Sequence, residues 1–280
     1  MGLTIHYRLS LPENILLPDV RQKVGALRQV CLDLPFKEVG EMQEFKDAEC
    51  NFERLPREHP QRWFLIQSDI FVSYKYGSGG KPCRVESCED GCYSHSVLPQ
   101  QIVGFSTWPG EGCEEANVGL CRFPKTVMVP NKLRNKQHRL AVSDGKWSWH
   151  SFCKTQYANS PDCGGVGNFL RCHLSVVAML DAAKKLGFDV TVNDEGGYWE
   201  KRDLQALVKE IGQWDQFIAA FGGALKDATS MTLEAPILTR KDFEKLEAEG
   251  QALLPKQTAA VLQRLAVITR DGRELSELKK

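Results

Sequence analysis

Five stretches of the chain gather residue types that can do chemistry. Residues 110–117 read GEGCEEAN, with Cys121 close behind. Two glycines let a backbone turn sharply and approach a ligand. Glu111, Glu114 and Glu115 then sit on that turn, where carboxylates can hold a metal, take a proton or pair with a cationic substrate. The competing reading is a polar hairpin tip with a solvated acidic patch.

Residues 147–157 read WSWHSFCKTQY. On a strand, Trp147, Trp149, Ser151, Cys153 and Thr155 point one way, and His150, Phe152, Lys154 and Gln156 the other. His150 and Cys153 are then kept apart. A cysteine nucleophile needs a nearby base or cation to become thiolate, and Lys154 adjoins Cys153. A buried structural cysteine is the alternative. Residues 163–168 read CGGVGN and precede a helix. Gly164 and Gly165 can let N–H groups converge, Asn168 is a good N-cap, and Arg171 can add a charge-assisted bond to an anion. An ordinary capped turn fits the same residues, since neither a Walker sequence nor a full GxGxxG fingerprint is present. His173, on the apolar side of that helix, reads as a hydrogen-bonded core residue.

Residues 193–203 read NDEGGYWEKRD. Asp194 and Glu195 offer carboxylates, and Tyr198 and Trp199 offer rings for stacking. Helix entry, with acids near the positive end, uses the same residues. Cys83, Cys88, Cys92 and His95 supply four zinc-binding side chains at a spacing that fits no standard knuckle. They form a structural zinc site or a loop of free thiols.

The elements that must position these residues follow from periodicity. Leu3, Ile5, Tyr7 and Leu9 alternate with Thr4, His6, Arg8 and Ser10, which predicts a half-buried strand. Pro18 and Asp19 open a helix whose apolar face is Val20, Val24, Leu27 and Cys31. A strand is expected at 37–46, a polar connector at 51–61, a β-rich stretch at 63–76, and strands or hairpins at 101–108 and 118–129. Residues 130–146 read as a basic connector. The strand at 147–157, a helix over 168–186 capped by Gly187, and a strand at 188–192 form a second β-α-β unit. Leu204, Leu207, Val208 and Ile211 predict one further helix, and Trp214, Phe217, Ile218, Phe221 and Leu225 another. A linker at 226–239 and a helical tail at 241–268, broken at Gly250 and Pro255, complete the chain.

The expected class is α+β, with a mixed or antiparallel sheet built from two β-α-β units, arranged as a ferredoxin-like duplication, and a C-terminal helical extension. The divisions are 1–130, 131–228 and 229–280, either separate or one continuous domain. The net charge is zero, from 36 basic and 36 acidic residues, which argues against duplex nucleic acid. No basic-then-apolar leader and no apolar run of about 18 residues is visible, so the chain reads as cytoplasmic and not membrane-bound. In that compartment, its ten cysteines read as free thiols or metal ligands.

Three functions remain. The first is an enzyme or small-ligand protein with an acidic or polar pocket. Its catalytic groups would be Glu114, Glu115, Cys153, Asp194 and Glu195. Its ligand-binding groups would be Lys154, Gly164, Gly165, Asn168, Arg171, Tyr198 and Trp199. The second is a protein-interaction module stabilised by zinc, and the third a binder of single-stranded nucleic acid on an open sheet.

Overall fold

The computed structural model describes residues 3–77, 80–85, 91–130, 137–212, 215–216, 219 and 243–253. The chain forms two compact units: Thr4–Glu195, and Met1–Leu3 together with Gly196–Lys280.

The first unit opens with β1 (Thr4–Leu11) and α1 (Leu17–Asp33). Pro18 starts the helix with φ already set, and Asp19 sits in its positive first turn. Leu34 ends it in an extended conformation, as a residue before proline prefers. Val20, Val24, Leu27 and Cys31 are buried at the expected spacing. The short strands β2 (Glu38–Val39) and β3 (Gln43–Lys46) take the place of one continuous strand.

Next come α2 (Pro60–Gln67) and β4 (Ile70–Tyr76). Here the structure corrects the expectation of a β-rich stretch from Trp63. His59 caps the helix by accepting from the Gln61 N–H, and Pro60 occupies its first position. Buried Phe64 and Leu65 are adjacent in sequence, a pattern that suits a helix edge better than an alternating strand.

The strands that follow are β5 (Pro82–Arg84), β6 (Tyr93–Val97), β7 (Gln101–Phe105), β8 (Thr107–Trp108), β9 (Val118–Arg122), β10 (Thr126–Pro130), β11 (Gln137–Ala141) and β12 (Trp147–Lys154). Strand β11 lies where a connector was expected. Helix α3 (Gly165–Lys185) and β13 (Asp189–Asp194) finish the unit. Helix α3 begins three residues before Asn168, with Gly164 as its N-cap, so Asn168 is a first-turn residue and not the cap.

Every strand pairing in the described residues is antiparallel. The class is mixed α+β. The main sheet has six strands in the order β13-β1-β12-β9-β7-β3. Alternation of direction makes β1 parallel to β3, joined through α1, and β12 parallel to β13, joined through α3. Helix α1 packs against α3 and against β7 and β9.

Gly104 of β7 stands opposite Gly119 of β9. A Cβ on Gly104 would lie 2.7 Å from Phe64 Cζ, and one on Gly119 would lie 2.7 Å from Trp149 Cε3. The missing side chains make room for the Phe64–Trp149 stack, whose centroids are 5.2 Å apart.

In the second unit, α4 (Tyr198–Lys201) is followed by helical residues 204–212. Trp214, Phe217, Ile218, Phe221 and Leu225 lie outside the described residues, as does the linker 226–239. The helix Phe243–Leu253 runs unbroken through Gly250, contrary to the expected break; Pro255 and the rest of the tail lie outside the described residues. Among the described residues no helix is long and apolar enough to cross a membrane.

One buried residue ties the first unit together. The Asn117 main-chain oxygen accepts from Tyr7 Oη of β1 at 2.7 Å and from Trp149 Nε1 of β12 at 2.9 Å. Its side chain accepts from the Thr107 N–H at 3.1 Å and donates to Gln67 Oε1 at 2.9 Å and Glu115 Oε2 at 2.8 Å. Asn117→Ala removes three of these bonds and strands a buried N–H. The expected loss is about 3 kcal/mol, at roughly 1 kcal/mol per bond. A urea midpoint unchanged from wild type would show that Asn117 is not such a tie.

Candidate functional site

The register of β1 with its two neighbours builds a grid of outward side chains. His6 stands between Phe152 and Asn193, Arg8 between His150 and Thr191, and Ser10 between Ser148 and Asp189. Directly opposed residues share a face. All nine are exposed or half-buried, whereas Leu3, Ile5, Tyr7, Leu9 and Leu11 on the alternate positions are buried. This polar face continues into a cleft of about 520 Å³. Arg8, Ser10, Ser148, His150, Asp189 and Thr191 line it from the sheet, joined by Arg84, Ser143, Asp144 and Lys146 from neighbouring segments.

The cleft lining is cationic on balance. Arg8, Arg84 and Lys146 face two carboxylates, Asp144 and Asp189. Lys146 Nζ pairs with Asp144 at 2.9 Å, and this bond holds the Asp144 carboxyl below its ordinary range. Asp189 accepts from Ser10 Oγ at 3.4 Å, and Arg84 donates to the Val142 carbonyl at 2.6 Å. Arg8 is exposed and has no carboxylate partner among the described residues. Partial burial pushes the His150 imidazole below its ordinary value, and the Arg8 and His6 charges add to that shift. Both effects favour the neutral imidazole of His150, which stands beside the Arg8 guanidinium.

The residues singled out from the sequence fall elsewhere. The turn 110–117 packs against the start of α3 and the 3-10 turn Gln156–Asn159. At Gly112 (φ 76°) a Cβ would meet the Tyr157–Ala158 backbone at 2.5 Å, so the close backbone approach is to the protein itself. Asn168 Nδ2 donates to the carbonyls of Glu111 and Ala158. The Arg171 guanidinium donates to the carbonyls of Pro35 and Pro109 and to Asn168 Oδ1. Gly164 and Gly165 both adopt positive φ, forming the helix entry.

The two acidic clusters stand at one end of the sheet without meeting. The Glu114 N–H donates to the Lys154 carbonyl, Lys154 lies opposite Thr4, and the Glu195 N–H donates to the Thr4 carbonyl. That places Glu114 and Glu195 three strand spacings apart, about 14 Å. Each carboxylate caps a strand: Glu114 Oε2 accepts from the Lys154 N–H at 3.3 Å, and Glu195 Oε2 from the Thr4 N–H at 3.0 Å. Lys154 Nζ lies over the Tyr157 ring, 4.8 Å from its centroid.

Cys153 and His150 lie on opposite sides of β12, as the strand period requires. Cys153 is fully buried, its Sγ donates to the Glu114 carbonyl at 3.2 Å, and burial pushes its thiol well up. Tyr198 and Trp199 belong to the second unit, where the Arg202 guanidinium lies 4.6 Å from the Trp199 ring.

The four sulfur and imidazole ligands are not gathered. Cys83 of β5 pairs with Lys75, and His95 of β6 pairs with Val72, on opposite edges of β4. Positions 72 and 75 of a strand face opposite ways, so Cys83 and His95 do too. Cys92 precedes β6, and Cys88 lies outside the described residues. Among the described residues no three of His, Cys, Asp and Glu are grouped as a metal ion requires.

His173 is buried, as its place on α3 implies. Its Nδ1 lies 3.0 Å from Thr155 Oγ1 and its Nε2 3.3 Å from Asp194 Oδ2. The order hydroxyl, imidazole, carboxylate is that of a nucleophilic relay, but His173 and Thr155 are 0% exposed and Asp194 6%. The hydroxyl is closed off from solvent, and the trio ties the residue that follows β12 to α3 and β13. His173→Ala should cost about 3 kcal/mol, from the cavity and the lost polar partners. A fall in urea stability below about 0.5 kcal/mol, on the scale of surface substitutions, would contradict this role.

Sequence reasoning missed Arg8, Arg84 and Lys146. The alternation in β1 marks Arg8 as outward, but nothing local says that His150 stands beside it. Comparison of the chain with protein families, with curated proteins and with solved structures gives no match.

Proposed function

We propose that the chain is a small-ligand-binding protein that takes an anionic molecule in the cleft over β13, β1 and β12. The observation that carries this reading is Arg8, an exposed guanidinium without a carboxylate partner among the described residues, set among hydroxyls in a cleft of about 520 Å³. That volume is of the size small ligands occupy. A guanidinium presents a planar fork of donors to carboxylate or phosphate oxygens, and Ser10, Ser148 and Thr191 add neutral donors. The path β1-α1-β3 and β12-α3-β13, with β1 lying between β12 and β13, reads as an enlarged ferredoxin-like arrangement. Its open sheet face is the ligand surface.

A second reading keeps the acidic pocket. Glu38, Trp63, Trp108, Glu114 and Glu115 line one groove of about 360 Å³. Carboxylates with two indoles suit an organic cation.

Sulfate and tetramethylammonium separate the two. Under the first reading, sulfate binds wild type in calorimetry, Arg8→Ala weakens it at least about tenfold, or about 1.4 kcal/mol, and Glu114→Gln leaves it unchanged. Binding of tetramethylammonium alone, lost in Glu114→Gln, would replace the first reading with the second.

The pH dependence follows from His150. Its neutral form is favoured in the empty cleft, and a bound anion favours the imidazolium. Binding therefore takes up a proton. Sulfate affinity should rise as pH falls from about 7.5 to about 5.5, the span in which histidine titrates. Sulfate itself does not titrate there. His150→Gln should flatten the profile; a wild-type profile already flat would place the anion away from His150.

A further inference from the structure

The outer grid of β1, β12 and β13 carries a second kind of group beside its cations and hydroxyls. Of the nine outward side chains, Phe152 alone is hydrocarbon. The other aromatic residues of β12, Trp147 and Trp149, lie on its buried side. Phe152 instead stands half-buried among polar neighbours. Its ring centroid is 5.9 Å from that of His6, with the two planes tilted by 38°. The His6 side chain is itself 41% exposed. Partly exposed rings of this kind offer a π-face to a flat partner.

The rings and the guanidinium stand on adjacent rungs of one face. His6 and Phe152 form one rung, Arg8 and His150 the next. Residues two apart on a strand are about 7 Å apart. On the other side of Arg8, the Ser10 rung ends in Asp189, and Asp144 nearby is paired with Lys146. A ligand anchored at Arg8 by an anion therefore meets carboxylates in one direction and rings in the other. Polar groups surround the rings. Asn193 stands exposed opposite His6. Glu195 Oε1 is 3.9 Å from His6 Nε2, while its Oε2 accepts from the Thr4 N–H. An amide and a carboxylate oxygen can pair with the donors and acceptors along the edge of a nucleobase.

We propose that the anion taken by this cleft is a free nucleoside monophosphate, with its phosphate on Arg8 and its base stacked on Phe152 beside His6. The proposal rests on the reading of the cleft as an anion site and names the molecule. The ribose bridges the interval between the two rungs. His150 and Thr191, which flank Arg8 on β12 and β13, donate to the remaining phosphate oxygens. The grid offers one ring pair and one guanidinium without a carboxylate partner among the described residues. A nucleic-acid strand engages a row of both, and a chain with 36 basic and 36 acidic residues has no excess charge to hold one. The fit is to a single nucleotide.

The test uses the full chain and calorimetry with sulfate, ribose phosphate and the nucleoside monophosphates of adenine, guanine, cytosine and uracil. At least one nucleotide should bind wild type about tenfold or more tighter than ribose phosphate. Phe152→Leu should weaken that nucleotide at least about fivefold, the low end of what a stacking ring supplies, and leave ribose phosphate unchanged. Arg8→Ala should weaken both. In wild type, nuclear Overhauser contacts should join the base protons to the Phe152 ring, and this arm decides the matter even where Phe152→Leu fails to fold. Sulfate and ribose phosphate bound through Arg8, with no nucleotide tighter, would overturn the nucleotide and leave the anion site standing. Base protons without contact to Phe152 would overturn it too. So would a short oligonucleotide that binds more than about tenfold tighter than the monomer. Binding of none of these anions would remove the anion site itself, and the proposal with it.

Discussion

Asn117 is the constraint on which the first unit depends. A carbonyl oxygen has two lone pairs, and this one receives donors from β1 and β12, the two central strands of that end of the sheet. Its side chain holds β8 and α2 in the same small volume. Tyr7 is fully buried, and burial pushes its phenol well above the ordinary value, so its O–H stays a donor under all ordinary conditions. A buried phenol, a buried indole and a buried amide each need a partner. One residue satisfies all three, and in doing so fixes where the turn at 110–117 lies. That turn carries Cys113 to the groove and Glu114 to the end of β12.

The same logic accounts for residues that look catalytic in sequence and act as fasteners in the fold. Helix starts and strand ends leave N–H and C=O groups without partners, and a buried one costs about 1–3 kcal/mol. Glu114 and Glu195 answer that need for the Lys154 and Thr4 N–H groups. Arg171 answers it for two proline carbonyls, and Asn168 for two more. A carboxylate or guanidinium so engaged is unavailable to a ligand unless the ligand replaces the bond it breaks. Arg8 is the contrasting case, since its charge meets none of these demands among the described residues.

Local pattern made some of this legible. The alternation of β1, the apolar face of α1, the two sides of β12 and the burial of His173 all follow from period and residue type, which act over a few positions. Helix α2 was missed because its aromatic residues favour strands by propensity, while His59 and Pro60, read as connector residues, in fact begin a helix. Strand register was out of reach, since the pairing of Arg8 with His150 joins residues separated by most of the unit. The cleft depends on such distant pairings. Spacing within one loop suggested zinc at Cys83 and His95, yet β4 intervenes and turns them apart.

The cleft and the buried centre of the first unit are also linked through β12. Its alternate residues serve opposite purposes: Ser151 and Cys153 point inward, toward the hydrogen-bonded centre and the thiols, while Ser148, His150 and Phe152 form the outer grid. Because a strand repeats every two residues, a slip of one position against β1 would exchange the sets. It would put His150 and Phe152 among buried groups and Cys153 in water. Trp147 and Trp149, 1% and 2% exposed, oppose that slip, since their indoles would be moved into solvent. At about 25 cal/mol per Å² and at least 150 Å² each, their exposure would cost on the order of 7 kcal/mol, as much as the whole stability of many domains. Trp147 and Trp149 thus set the register that lets one strand present a polar face outward and a thiol inward.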